Sequence, residues 1–171
     1  AFDNCGPGDA YGNSGWWLGT IGSVTNAFAT SFVPDRSGGI AGLVAGLRSN
    51  YGGASTFTLS IRLDADGPTG ALLWQDTFPD GLLAGFGSVL ELAIEGPAIA
   101  AGATYWVVVE TAAPTFYTWQ ANVTRDAGPV ALNTNGAGWS TIQSGARGAL
   151  RVVLVPEPGT AGLVGVGMLA L

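Results

Sequence analysis

Thr56-Phe57-Thr58-Leu59-Ser60-Ile61-Arg62-Leu63-Asp64 decides the fold. Its odd positions from 57 to 63 are large and apolar, and its even positions are polar. Side chains alternate faces along an extended chain, so this is the pattern of a half-buried β-strand. Wound as a helix, the same apolar residues would spread around every face. The stretch that follows, Asp64-Ala65-Asp66-Gly67-Pro68-Thr69-Gly70, is dense in turn formers and predicts a tight reversal.

Working outward, the same step of two recurs. Phe28, Thr30 and Phe32 alternate with small residues until Pro34-Asp35 breaks the run. Ile40–Arg48 puts Leu43, Ala45 and Leu47 on one face, and Leu72–Phe78 is a further strand candidate. Leu90, Leu92 and Ile94 alternate with Glu91 and Glu95. In Thr104–Glu110, Tyr105, Val107 and Val109 oppose Trp106 and Val108, a run apolar on both faces that belongs in mid-sheet. Phe116–Val123 and Ala149–Val155 complete about eight short strands punctuated by Gly and Pro. No strong helical period lasts ten residues before position 156. The expectation is an all-β antiparallel sandwich, jelly-roll-like, over residues 26–155. A Gly/Asn-rich segment (1–25), mostly loop with one short strand near Trp16–Ile21, precedes it, and an apolar tail (156–171) follows.

Composition narrows the function classes. Apolar residues make up 47 %, enough for a sizeable core in 171 residues, whereas charged residues are only 11 %. Six Arg, no Lys and twelve acidic residues give a net charge of −6, which argues against nucleic acid, since phosphate binding needs clustered cations. The sequence has no His, which removes Ser-His-Asp, Cys-His and His-zinc chemistry from this chain. The single Cys5 cannot form an internal disulfide. The opening Ala1-Phe2-Asp3-Asn4 has neither a basic region nor an apolar one. A start without Met fits a chain relieved of a leader, so secretion is expected.

Val155-Pro156-Glu157-Pro158-Gly159 closes the body, and everything after Thr160 is apolar or Gly. Prolines two apart forbid helix and favour an extended spacer. As a helix the last dozen residues would reach about 18 Å, short of the ~30 Å of hydrocarbon in a bilayer. Burying Leu163, Val164, Val166, Met168, Leu169 and Leu171 is worth on the order of 10 kcal/mol before ordering costs. Water is therefore a poor home for this tail, which predicts shelter in lipid, in its own core or against other copies. As a strand, Val164, Val166 and Met168 line one face; as a helix, Ala161 and Gly165 form a small-xxx-small pair.

These residues resemble the PEP-CTERM sorting signal of Gram-negative bacteria, in which a Val-Pro-Glu-Pro motif precedes an apolar helix and an Arg cluster. The likeness rests on Val155, Pro156, Glu157 and Pro158 plus the Gly/Leu/Val tail; the Arg cluster is not among the 171 residues. The body is similar to choice-of-anchor R domains. The likeness is carried by Phe28–Phe32, by Thr56–Leu63 with its Asp66-Gly67-Pro68 turn, and by Ala101-Gly102-Ala103-Thr104-Tyr105-Trp106. The resemblance implies a secreted β-sandwich at the cell surface or in a biofilm matrix, associated with exopolysaccharide. It also implies an exosortase-type processing enzyme as partner, and no catalytic residue.

Other constellations are weaker. Asp64 and Asp66 with Gly67 look like the opening of a calcium loop, but its twelfth position is Gln75 where a bidentate Glu is required. A plain turn is the simpler reading, with a weak calcium site as the alternative and no other cofactor expected. Glu91 and Glu95, four apart in a strand, stand about 13 Å from each other, too far for a glycosidase pair. Asn122-Val123-Thr124 matches a glycosylation acceptor. Six Trp are many for this length, and Trp16, Trp17, Trp74, Trp119 and Trp139 offer flat faces that stack on sugar rings. Trp119 and Trp106 are equally natural core residues, leaving Trp16, Trp17, Trp74 and Trp139 as the stacking candidates. Adjacent Trp16 and Trp17 must point to opposite faces if extended. Two functions follow: a non-enzymatic structural subunit that polymerises through its tail, or a carbohydrate-binding module.

Overall fold

The computed structural model describes residues 1–50, 56–83, 89–111 and 115–155. The deciding stretch is a strand, Thr56–Leu63, with Phe57, Leu59 and Ile61 sealed in the core. Leu63, expected on the same face, is 37 % exposed; it is the last residue of the strand, where the chain enters the turn that follows. Among the described residues the chain forms fourteen strands and one 3-10 turn (Asp80–Leu82), with no α-helix. The strands are β1 (Phe2–Asp3), β2 (Tyr11–Ile21), β3 (Val24–Phe32), β4 (Gly38–Ala45), β5 (Leu47–Ser49), β6 (Thr56–Leu63) and β7 (Leu72–Pro79). They continue with β8 (Leu90–Ala93), β9 (Ala98–Ile99), β10 (Tyr105–Thr111), β11 (Phe116–Asn122), β12 (Ala127–Thr134), β13 (Trp139–Ala146) and β14 (Leu150–Val155).

Two curled antiparallel sheets share one core, as in a β-sandwich. The smaller runs β1-β14-β4-β8, with β9 also on β4; the larger runs β5-β11-β2-β3-β10-β6-β7. Strand β3 organises the larger sheet. Phe28 pairs with Val109 of β10 and with Leu132 of β12, so those strands flank it on opposite edges. Nearer its start, Val24–Asn26 pairs with β2 through a hairpin whose turn holds Gly22 at φ 61°. That left-handed conformation suits a two-residue hairpin loop.

The core face collects Phe28, Phe32, Phe57, Tyr105, Val107 and Trp119 from the large sheet, and Ile40, Leu43, Leu90, Val152 and Leu154 from the small one. Strand β10 is buried on both faces, as its composition predicts. Tyr105, Val107 and Val109 enter this core, while Trp106 and Val108 join Ala29 and Ala131 in a second, smaller cluster. Trp139, from the β12–β13 hairpin, packs against that second cluster.

Three expectations are corrected. Fourteen strands replace about eight, partly because the sheets recruit two- and three-residue strands. Residues 1–25 are not mostly loop: β2 is the longest strand, pairing with β11 from Tyr11 to Gly19. The β12–β13 hairpin was not anticipated, since Gly128, Pro129 and a run of Ser, Thr and Gln blur its alternation. The tail after Val155, with every residue named in it, lies outside the described residues.

Candidate functional site

Extended backbone sends Trp16 and Trp17 to opposite sides of β2. Trp16 turns inward, stacks on Phe28 with ring centroids 5.1 Å apart, and donates its indole N–H to the Ala146 carbonyl at 2.7 Å. Trp17 turns outward and is 59 % exposed, the most exposed of the large apolar side chains among the described residues. Phe116 meets it edge-on at 6.0 Å.

Register shows what surrounds Trp17. Thr118 of β11 stands opposite Trp17 on one side and opposite Arg48 of β5 on the other. Directly opposed residues share a face, so Arg48, Thr118 and Trp17 form one cross-strand row on the outside of the large sheet. Two strand spacings make the row about 10 Å long. The Asn50 amide donates to the Thr118 hydroxyl at 2.7 Å. Thr118 itself is buried, so the result is an aromatic surface bordered by the half-buried Asn50 amide and Arg48 guanidinium. Such a surface can take a sugar ring on its aromatic face and the ring's hydroxyls on its rim.

The other stacking candidates lie elsewhere. Trp74 sits on β7, half-buried against the core and tilted against Phe78 at 6.4 Å. Trp139 borders a shallow groove of about 450 Å³ with Leu132, Ser140 and Ile142. Trp106 and Trp119 are buried; their indole N–H groups donate to Asp64 Oδ1 at 2.7 Å and to the Ala149 carbonyl at 3.0 Å. The four candidates thus occupy three separate strands and do not build a common platform. Phe116, Thr118 and Arg48, absent from the sequence-based site, are what the structure sets beside Trp17. Only the pairing of β11 with β2 and β5 could have joined residues so far apart in the chain.

The remaining motifs find structural employment. Asp64 Oδ1 accepts from both the Trp106 indole and the Gly67 backbone at 3.1 Å, and the Thr69 hydroxyl donates to the Ala65 carbonyl at 2.6 Å. The carboxylate oxygen expected to open a calcium loop is already closing a turn. Asp66 is exposed with φ 58°, and among the described residues no three acidic, Cys or His side chains gather as a metal site. Glu91 and Glu95 both face solvent. The Asn122 amide of the acceptor tripeptide is buried and donates to the carbonyls of Asp126 at 2.8 Å and Arg147 at 2.9 Å. In the folded chain it is not presented for modification. Burial, reinforced by the negative charges of Asp3 and Asp9, pushes the Cys5 thiol up to about 12. A thiol so reluctant to ionise is a poor nucleophile at neutral pH.

No family model, no curated protein and no solved structure matches this chain.

Proposed function

We propose that this chain is a non-enzymatic structural protein, secreted to the cell surface or extracellular matrix of a Gram-negative bacterium, where it assembles with copies of itself through its apolar tail. The two sheets are read here as a jelly-roll-like sandwich that carries the tail. One observation supports the reading most. Strand β14 includes Val155, the first residue of the Val-Pro-Glu-Pro motif, so the motif adjoins a core strand of the body in the chain. An exosortase-type enzyme is the expected processing partner. The low charge and the lack of Lys, a common guard of sheet edges, agree with close association between copies.

The test is a deletion of residues 160–171 compared with the intact chain in detergent-free buffer. Light scattering is expected to show polymers for the intact chain and monomers for the deletion. An intact chain that stays monomeric sinks the reading.

The exposure of Trp17 favours a second reading, in which the sandwich binds exopolysaccharide at the Trp17–Phe116 face. Titration with the producer's own polysaccharide is expected to quench or blue-shift the tryptophan emission, and Trp17→Ala is expected to abolish the response. An unchanged spectrum for the intact protein removes this reading and leaves assembly untouched.

A further inference from the structure

We infer that the Trp17 face takes a polysaccharide that carries carboxylates, a polyuronate, and that Arg48 selects it. This rests on the second reading of the function, in which the face binds sugar, and names the class of polymer. Register lays out the outer side of the large sheet as two cross-strand rows. Trp17, Thr118 and Arg48 form one. Gly19, Phe116 and Asn50 form the next, since Phe116 stands opposite Gly19 and its carbonyl accepts the Asn50 backbone N–H at 3.0 Å. Buried Thr118 is the floor between the strands. Its hydroxyl takes the Asn50 amide at 2.7 Å, while its methyl lies 2.8 Å from where a Cβ on Gly15 would stand. The face thereby divides into an aromatic half, Trp17 and Phe116, and a polar margin, Arg48 and Asn50, at β5, the last strand of the sheet.

Charge decides which sugar such a face accepts. The chain carries −6 overall, yet β2, β5 and β11 contain no Asp or Glu, and Arg48 is their one charged side chain. Acids on other elements are engaged or placed elsewhere. Asp9 and Asp126 pair with Arg151 and Arg147, and Asp64 holds the Trp106 indole. Glu91 belongs to the other sheet, and Glu110 borders a separate small pocket with Thr25, Asn133 and Gly136. In physiological salt a charge is screened beyond about 8 Å, so a polymer lying over Arg48 meets a positive site on a negative protein.

A guanidinium fork pairs with a planar carboxylate through two parallel N–H···O bonds, and an indole takes the apolar face of a pyranose. The row spans two strand spacings, about 10 Å, which seats one ring on Trp17 and its neighbour in the polymer over Thr118. The carboxylate of that second ring reaches Arg48, with the Asn50 amide beside it for a hydroxyl. A neutral polymer gains the stacking alone.

The experiment titrates the full-length chain with polygalacturonate and with its methyl ester, the same rings without the charge, and follows tryptophan emission. The acid polymer is expected to bind at least about 10-fold tighter than the ester, the range of a charge-assisted bond. Arg48→Gln is expected to erase that difference and leave the ester's affinity as it was. Arg48→Lys restores part of the difference, and Trp17→Ala removes the response to both polymers. Near-ultraviolet circular dichroism checks that each variant is folded. A preference for the acid polymer that survives in Arg48→Gln overturns the assignment. Equal affinity of the wild type for the two polymers also overturns it and leaves the sugar reading standing. No response to either polymer overturns it too, and no response to the producer's polysaccharide removes the sugar reading with it. Light scattering on Trp17→Ala covers the remaining occupant: if that variant no longer assembles, the face is a contact between copies and not a polyuronate site.

Discussion

Gly148→Ala is expected to cost about 3 kcal/mol or more of folding stability, from a single added methyl group. A Cβ at Gly148 would lie 2.4 Å from Nε1 of Trp119, and 2.6 and 2.7 Å from two further atoms of the same ring. The indole has nowhere to retreat. It is wholly buried, its N–H is bonded to the Ala149 carbonyl at 3.0 Å, and it makes a T-shaped contact with Phe28 at 5.6 Å between ring centroids. Backbone cannot yield easily either, because Gly148 bridges to Ala121 and its carbonyl accepts from Asn4. Gly81→Ala is the control, since a Cβ there meets nothing within 4 Å and its effect is expected to be near zero. Urea unfolding followed by tryptophan emission measures both. A loss below about 1 kcal/mol would mean that the Trp119 pocket has slack the packing does not show.

Legibility followed burial. Strand β6 was readable because its core face is continuous, Phe57, Leu59 and Ile61, and its other face is polar throughout. Strand β10 was readable for the opposite reason, both faces being apolar and both finding a cluster. Strand β2 was readable only over Trp16–Ile21 and not from Tyr11 to Gly15, because glycines interrupt its pattern for reasons of tertiary contact. A Cβ at Gly15 would come within 2.2 Å of the Trp119 carbonyl, and Gly19 holds φ 85° against Thr115. Those demands come from β11, a hundred residues on, and leave no local trace. The β12–β13 hairpin hides differently: its outer strand is largely wet, so few positions needed to be apolar.

The candidate site was half legible on the same principle. Alternation alone requires that one of Trp16 and Trp17 face outward, and the outward one is Trp17. That it has Thr118 and Arg48 for company depends on two strand registers, and register is set by contacts between distant segments.

Asn4→Ala is expected to cost about 3 kcal/mol, a large effect for an unassuming polar residue near the start of the chain. Asn4 is buried and ties three segments together. Its Oδ1 accepts from the Leu150 backbone at 2.8 Å, and its Nδ2 donates to the Gly148 carbonyl and to Asp126 Oδ2, each at 3.2 Å. Its own carbonyl accepts from the Thr124 hydroxyl at 3.0 Å. Asp126 in turn holds Arg147 at 2.9 Å, so removing the amide leaves a strand N–H unpaired and loosens an ion pair. Asn4→Asp separates shape from charge. The carboxyl so introduced keeps the size of the amide but brings a second negative group against Asp126, where ionisation is disfavoured. Its proton would be held more tightly in the folded chain than in the unfolded one, so stability falls as pH rises through neutrality and recovers on acidification toward the ordinary carboxylate range. Urea midpoints for the wild type and both variants at pH 5 and pH 7.5 test this. The expected pattern is a pH-independent deficit for Asn4→Ala and a deficit that shrinks at pH 5 for Asn4→Asp. Equal deficits for Asn4→Asp at both pH values would show that Asp126 does not feel its neighbour, and the network would then be a set of independent bonds.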